Sequence, residues 1–502
     1  MVEKVTTVSE YIIEKLRKIV GDENVHVKPH HRLLRARTPT PFPMHVWDQN
    51  MPAIVVLPSS TEEVVEIVKL ANEYKIPIVP RGGGTGLNDG AVPLYGGILV
   101  DMKRMNKILE IDEENMTATV QPGLTAMELN LVLDKYGLWF PDNPASYGMS
   151  VLGGRINTNG WSLISGVGGH IRDLVLNMTI VLPTGEVLWV GEGGGKKIRK
   201  SSVGYNLKYL FFGAQGTLGI VTEITVDLFP KPEAELPAFF GFRSFDEAYK
   251  ALGKAQRIGL RTLASIILFD EEKVEFLRRD DEAYIPQPRD IKSIIATALY
   301  GSELEVNAAS KKLFEWMEKS GGKYLGEELS EGDWASRHDR YHIPYHGRDD
   351  EGNVILLTWH CEDSGIHYTA LPYIRKRWHE AVKKYRDKYP RIFDDWGMFF
   401  YNNNAFRPWG DYLTEIDIGV NEFELNEETW NAWVNLKREI SEATLEVGGS
   451  ISAAHGATRP GDAELIPNEL GAQWELMKKI KKLLDPNNIM NPGKYLLDQA
   501  YR

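Results

Sequence analysis

"PRGGGTGLNDGAV", residues 80–92, follows the short apolar run "IPIVP" and places four glycines among its first seven residues. Glycine costs backbone entropy, so a cluster at the end of a strand needs a reason. One reason is a turn. Another is an anion: successive N–H groups in a turn converge into a nest, and the missing Cβ lets a phosphate come close. The familiar phosphate loops fail on spacing. In GxGxxG, a run opening at Gly82 or Gly84 needs a third glycine where Leu87 or Asp89 stands, and in GxxxxGK[ST] no Lys follows Gly86. Taken alone, the stretch is either a surface turn or an anion nest.

Working outward, "MPAIVVLPSSTEEVVEIVKLANEYKIPIVP" (51–80) reads as strand, helix, strand. Ser60 and Glu63 have capping-box spacing, and Val64, Ile67, Val68 and Ala71 line one helical face. Thr125 and Glu128 offer a second capping box, with Gly137 near that helix's end. Further glycine-rich zones follow in "GGRINTNG" (153–160) and "GAQGTLGIVTEI" (213–224), and a hairpin is expected around "PTGE". "GEGGGKKIRKS" (191–201) misses phosphate-loop spacing and reads as a solvated loop. The style changes at "FPKPEAELPAFF" (229–240): strands such as "SIILFD", "IIATALYG" and "EIDIGVN" then alternate with amphipathic helices, as in a separate α+β domain. A last helix stops at Asp485–Pro486, before "NPGKY".

The chain's 502 residues suffice for two or three domains. A single cysteine, Cys361, leaves no internal disulfide framework and makes a cytoplasmic location the expectation. A formal net charge of -12 argues against a nucleic-acid partner. No apolar run approaches a membrane span, and the first twenty residues read as an amphipathic helix rather than a secretory signal. Homodimer formation and peripheral membrane docking stay open.

"PRGGGTG", "GGRINTNG", "GAQGTLGIVTEI" and "DPNNIMNPGKY", in this order, resemble the flavin-binding oxidoreductases of the vanillyl-alcohol oxidase superfamily. The nearer likeness is to the FAD-linked oxidases, the group of glycolate oxidase and D-lactate dehydrogenase. The resemblance implies an α+β fold: a FAD-binding domain of two α+β subdomains (1–235), a cap domain with an antiparallel sheet (236–445) and a C-terminal segment returning to the flavin domain (446–502). It also implies FAD. Pro80, Arg81, Gly82, Gly83, Gly84, Thr85, Gly86 and Leu87 would cradle the pyrophosphate. Pro141, Ser150, Gly153, Gly154, Asn157, Thr158 and Gly160 would border the flavin and ribityl chain. Gly213, Gln215, Gly216, Thr217, Gly219, Ile220 and Val221 would line the adenine side, Gln215 standing where the family pattern has Glu. Asn491 would approach the isoalloxazine ring. The first cluster offers no His or Cys for covalent attachment, so non-covalent FAD is expected.

For chemistry, the resemblance implies oxidation of a C–OH bond, with hydride passing to flavin N5 and a base taking the hydroxyl proton. "SAAHGATRPG" (452–461) matches the family's "EHGIG" and makes His455 the candidate base. Arg337, three residues after Trp334, and Arg407, near Tyr401 and Trp409, are candidates for holding a substrate anion. The family's metal motif "GHxGDGNxH" survives only as Gly410 and Asp411, and Ala454 replaces a ligand Glu, so no metal is expected. His338, His342 and His346 fall four apart, but Pro344 argues against one helix carrying all three. The expected substrate is a small molecule, first a 2-hydroxy acid of the D-lactate or glycolate type, with the electron acceptor unidentified. The alternatives are an alkylglycerone-phosphate synthase-like enzyme, which "RYHIPY" (340–345) resembles, an oxidase of a polyol or phenolic alcohol, and a flavin-free binding protein.

Overall fold

Short runs that are apolar on both faces pair in parallel only where helices cover them. Val55, Val56, Ile78, Val79, Ile98 and Leu99 are such residues, all essentially fully buried. A computed structural model of the chain describes residues 3–255, 258–280, 289–338, 345–348, 354–404, 406 and 410–501. In it β1 (Val25–His26), β2 (Ile54–Val56), β3 (Ile78–Arg81) and β4 (Ile98–Asp101) form one sheet in the order β1-β2-β4-β3. β2 and β3 both run parallel to β4. The helix Thr61–Tyr74 links β2 to β3 and buries Val64, Ile67, Val68 and Ala71, as the periodicity predicts. Its cap is spread over two residues: Ser60 Oγ accepts from Glu63 N (3.3 Å), while the Glu63 carboxylate reaches back to Ser59 N (2.7 Å). The first helix, Glu10–Val20, buries Ile12, Leu16 and Val20.

A second sheet follows. β5 (Ile108–Asp112), β6 (Thr117–Val120), β8 (Val175–Val181), β9 (Val187–Gly191) and β10 (Ile220–Asp227) lie in the antiparallel order β5-β6-β10-β8-β9, while β7 (Leu138–Trp139) pairs with β11 (Phe229–Pro230). The expected hairpin joins β8 to β9, and Thr125 and Glu128 make both capping-box hydrogen bonds.

The third sheet has eight strands: β12 (Ala234–Phe242), β13 (Leu263–Phe269), β14 (Ser293–Gly301), β15 (Lys323–Tyr324), β16 (Tyr345–Arg348), β17 (Val354–His367), β18 (Phe393–Asn402) and β19 (Asp411–Val420). They run antiparallel in the order β15-β12-β14-β13-β18-β19-β17-β16. The α+β class with an antiparallel cap sheet is therefore borne out. Helices Glu303–Lys319, Leu371–Lys388 and Glu427–Glu446 share one core with the outer face of this sheet. Its inner face packs with Trp161, Leu163 and Ile164 of the first part of the chain. The tail docks elsewhere: Asn491 N donates to Ile78 O and Ile78 N to Ile489 O, both at 2.7 Å, which fixes it beside β3. Among the described residues no helix is long and apolar enough to cross a membrane.

On the outer side of the cap, His379 is clasped between two acids, Nε2 at 2.6 Å from Asp270 and Nδ1 at 2.5 Å from Asp395. Burial opposes its charge, but Asp395 and Asp270 outweigh burial and hold its pKa well above the ordinary value. A group with a raised folded-state pKa stabilises fully below its unfolded value, about 6.5, and loses that contribution as pH rises through the folded value. The melting temperature is therefore expected to fall on the alkaline side, and His379→Gln to flatten that limb. An unchanged slope in the variant would remove His379 as its source.

Candidate active site

Strand β3 ends in Arg81 and hands the chain to the glycine loop, which meets residues 146–151 across a narrow gap. A Cβ on Gly82 would overlap the Val151 side chain, and one on Gly83 the backbone oxygen of Met149. Gly84 has φ +71°, where a Cβ would strike the Arg81 guanidinium. The loop is thus built for close backbone approach. The buried Arg81 leaves Nη1 without a hydrogen-bond partner among the described residues. Opposite it, the helix Leu152–Thr158 is tied to the next glycine turn: Asn157 Oδ1 accepts from Gly216 N (2.9 Å), and Asn157 O from Gln215 N (2.8 Å).

These walls open into a cavity of about 2080 Å³, its open mouth included. Of the residues singled out from the sequence, Pro80, Arg81, Gly82, Gly83, Gly84, Thr85, Gly86, Ser150, Gly153, Gly154, Asn157, Thr158, Gln215, Gly216, Ile220 and Val221 line it, together with His455 and Arg337. The others stand outside the lining, each with a packing reason. The Leu87 carbonyl accepts from Thr40, Pro141 abuts Gly168, and Gly160 leaves room for the Arg155 guanidinium. The carbonyls of Gly213 and Thr217 accept from Tyr495 and Lys481, and Gly219 lies against Ile180. Asn491 clamps two loops through Nδ2, which donates to Gly90 O (2.8 Å) and Gln215 O (2.5 Å). Arg407, Trp409 and His342 fall outside the described residues. His338 stacks on Tyr147 after the helix Glu327–Ala335, whereas His346 belongs to β16, so no single helix carries both.

A polar cluster enters from the β17 side. Asp363 on β17 accepts from His455 Nδ1 (2.8 Å), Ala453 N (2.6 Å) and Ala454 N (2.8 Å). Burial pushes the Asp363 pKa up, but His455 and these backbone donors outweigh it, so the pKa is lowered and the group stays a carboxylate. Burial likewise opposes a charge on His455, yet Asp363 more than offsets it and raises the imidazole pKa. Directly across the strand pair, Glu415 faces Asp363, and burial together with Asp417 pushes it up to about 7. Arg337 enters from the opposite side. Its Nη1 donates to Trp334 O (2.6 Å), its Nε meets Asn143 Oδ1 (3.4 Å), and the guanidinium lies 4.6 Å from the centre of the Trp334 ring.

The sequence pattern of the FAD binding domain family matches residues 52–191, and that of the FAD linked oxidases, C-terminal domain, matches residues 420–495. The chain is 29% identical over 498 residues to the glycolate oxidase subunit GlcD of Bacillus subtilis, covering 98% of each. It is 28% identical to a probable mitochondrial D-lactate dehydrogenase of Danio rerio, over 98% of this chain and 93% of the relative. The chain carries both of these FAD-linked domain patterns and is an FAD-dependent oxidoreductase. The fold agrees: p-cresol methylhydroxylase superposes with a TM-score of 0.78 at 20% identity over 97% of both chains. An alkyldihydroxyacetonephosphate synthase gives 0.75 at 21% over 98% of this chain and 89% of its own. Such an oxidoreductase takes a small-molecule substrate and passes its electrons to an acceptor.

The residues of this FAD-linked oxidoreductase fit the cofactor, since the unpartnered Arg81 nitrogen and the glycine walls suit a diphosphate. Among the described residues, two donor sets stand close enough to hold a metal ion. The ligand atoms of Cys361, Glu415 and His455, and those of Asp270, Glu272 and His379, lie within 4.8 Å of one another. The first set borders the cavity, but burial, then Glu415 and Asp417, push the Cys361 thiol well up, which keeps it protonated. In the second set Arg375 already pairs with Asp270 and Glu272. Sequence reasoning missed Asp363, Glu415 and Asp417. For Glu415 and Asp417 the one local signal is acids at alternate positions within the apolar strand "TEIDIGV"; Asp363, on another strand, has none.

Proposed function

We propose that this FAD-linked oxidoreductase oxidises the C–OH group of a 2-hydroxy acid, with FAD held non-covalently in the loop Arg81–Gly86, against Ser150–Thr158 and Gln215–Gly216. FAD, when bound, supplies the hydride acceptor. The observation that carries the reading is the Asp363–His455 pair opening on the same cavity as the glycine cradle. Asp363 accepts the Nδ1–H, so the basic lone pair of His455 is on Nε2, the ring's other nitrogen. Nε2 takes the hydroxyl proton, and Asp363 stabilises the imidazolium that forms. Arg337, held over the Trp334 ring, offers its planar fork to the substrate carboxylate. The relatives named for glycolate and D-lactate support a 2-hydroxy acid over a polyol or a phenol.

The test is anaerobic mixing of the yellow holoenzyme with D- and L-2-hydroxy acids, polyols and phenolic alcohols. One enantiomeric series of hydroxy acids is expected to bleach the flavin. Bleaching by a polyol or phenol with none by any hydroxy acid would contradict the reading.

A further inference from the structure

We infer that the site is built for a 2-hydroxy acid carrying a large apolar substituent, aryl or medium-chain alkyl, and not for glycolate or lactate. The inference rests on the oxidation proposed above and narrows its substrate.

It comes from the register of the cap sheet. Side chains alternate across a strand, so direct cross-strand partners share a face. Phe239 faces Ala296, Ala296 faces Ile267, Ile267 faces Tyr401, and Tyr401 faces Leu413. Two residues along, Phe269 faces Phe399, Phe399 faces Glu415, and Glu415 faces Asp363. All these residues except Asp363 line the cavity, and Asp363 holds His455, which does. The cavity floor is therefore divided. On β12, β14, β13 and β18 it is apolar and aromatic, and on β19 it becomes acidic, at Glu415 and Asp417, beside the base.

Neighbouring strands lie about 4.8 Å apart, so the four apolar strands make a floor roughly 14 Å wide. Lactate has three carbons joined by bonds of about 1.5 Å and covers little of it. Trp161 extends the floor as a side wall, its ring 4.7 Å from that of Tyr401. The one cation on this floor among the described residues, Lys273, is spent on Asp417 (2.5 Å) and lies over the Phe276 and Phe399 rings. A second carboxylate on the substrate would find no partner there. An aryl or alkyl substituent would gain offset or edge contacts with the rings that line this floor.

The experiment is anaerobic reduction of the holoenzyme by glycolate, lactate, 2-hydroxyoctanoate and 3-phenyllactate, each as the reactive enantiomer. The expected result is a kcat/KM at least about 100-fold higher for the two larger acids than for lactate. Ala296→Leu, which fills the middle of the floor, should lower the ratio of larger acid to lactate by about tenfold or more. As a readout without turnover, 3-phenylpropionate should quench the holoenzyme's tryptophan fluorescence at concentrations where propionate does not. Lactate or glycolate reacting as well as the larger acids, or an unchanged ratio in Ala296→Leu, would overturn this inference and leave the proposed oxidation standing. Reduction by no 2-hydroxy acid, with 3-phenylpropionate still bound, would overturn the reading beneath it and this inference with it.

Discussion

Replacing His455 by alanine is expected to slow substrate-driven reduction of the bound flavin by about 10²–10⁴-fold, the usual worth of a positioned general base, with flavin content unchanged. His455 follows the short bridge between Gly365 and Ser450, and its own N–H is anchored on Ser452 Oγ (3.1 Å). Ser452 Oγ also reaches Asp363 (3.1 Å), so backbone, hydroxyl and carboxylate together fix the ring. About a fifth of the side chain stays open, which leaves Nε2 access to a ligand. Asp363→Asn is expected to lose a comparable factor by another route. An amide turned to donate to Nδ1 would shift the ring proton to Nε2 and remove the base without removing the ring. If both variants reduce at the wild-type rate, His455 is a packing residue, and Glu415, across the strand pair from Asp363, takes over as the candidate base.

Gly83→Val is expected to weaken FAD binding by about 100-fold, the upper part of the roughly 1–3 kcal/mol that overpacking costs. The added atoms would meet backbone, not the yielding end of a side chain. That backbone is held in turn: Met149 N and Ser150 N both donate to Ser146 O, at 2.9 and 2.8 Å. The variant should purify nearly colourless while its cap sheet still melts cooperatively. A fully yellow Gly83→Val protein would mean that the loop is an ordinary turn.

The glycine motifs were legible because glycines cluster where a Cβ would collide, as at Gly82, Gly83, Gly84, Gly153 and Gly216, all of which face the cavity. A motif does not say which of its residues face the ligand. Leu87, Thr217, Gly219 and Asn491 belong to the same motifs and serve the packing behind them. The Asp363–Glu415–His455 cluster left no local spacing to read. Its members are 52 and 92 residues from Asp363 and meet only through the β17–β19 register and one loop. Strands β12 and β18 also escaped notice. β12, "AELPAFFGF", carries both Pro and Gly, and β18, "FDDWGMFFYN", slips register between Asp395 and Met398, beside Gly397 at φ +83°. Both faces of the cap sheet are buried, one by helices and one toward the cavity, so the alternation that would have revealed the aromatic floor is hidden in continuous apolar runs.

The glycine loop as a diphosphate cradle is the claim on which the rest stands, and comparison of FAD with riboflavin on the stripped apoprotein tests it most directly. The two share the flavin ring, and only FAD has the diphosphate. FAD should come away from the unfolded chain on filtration and rebind after refolding, with riboflavin at least about 100-fold weaker. Equal binding of the two, or flavin that stays with the unfolded polypeptide, would contradict the account.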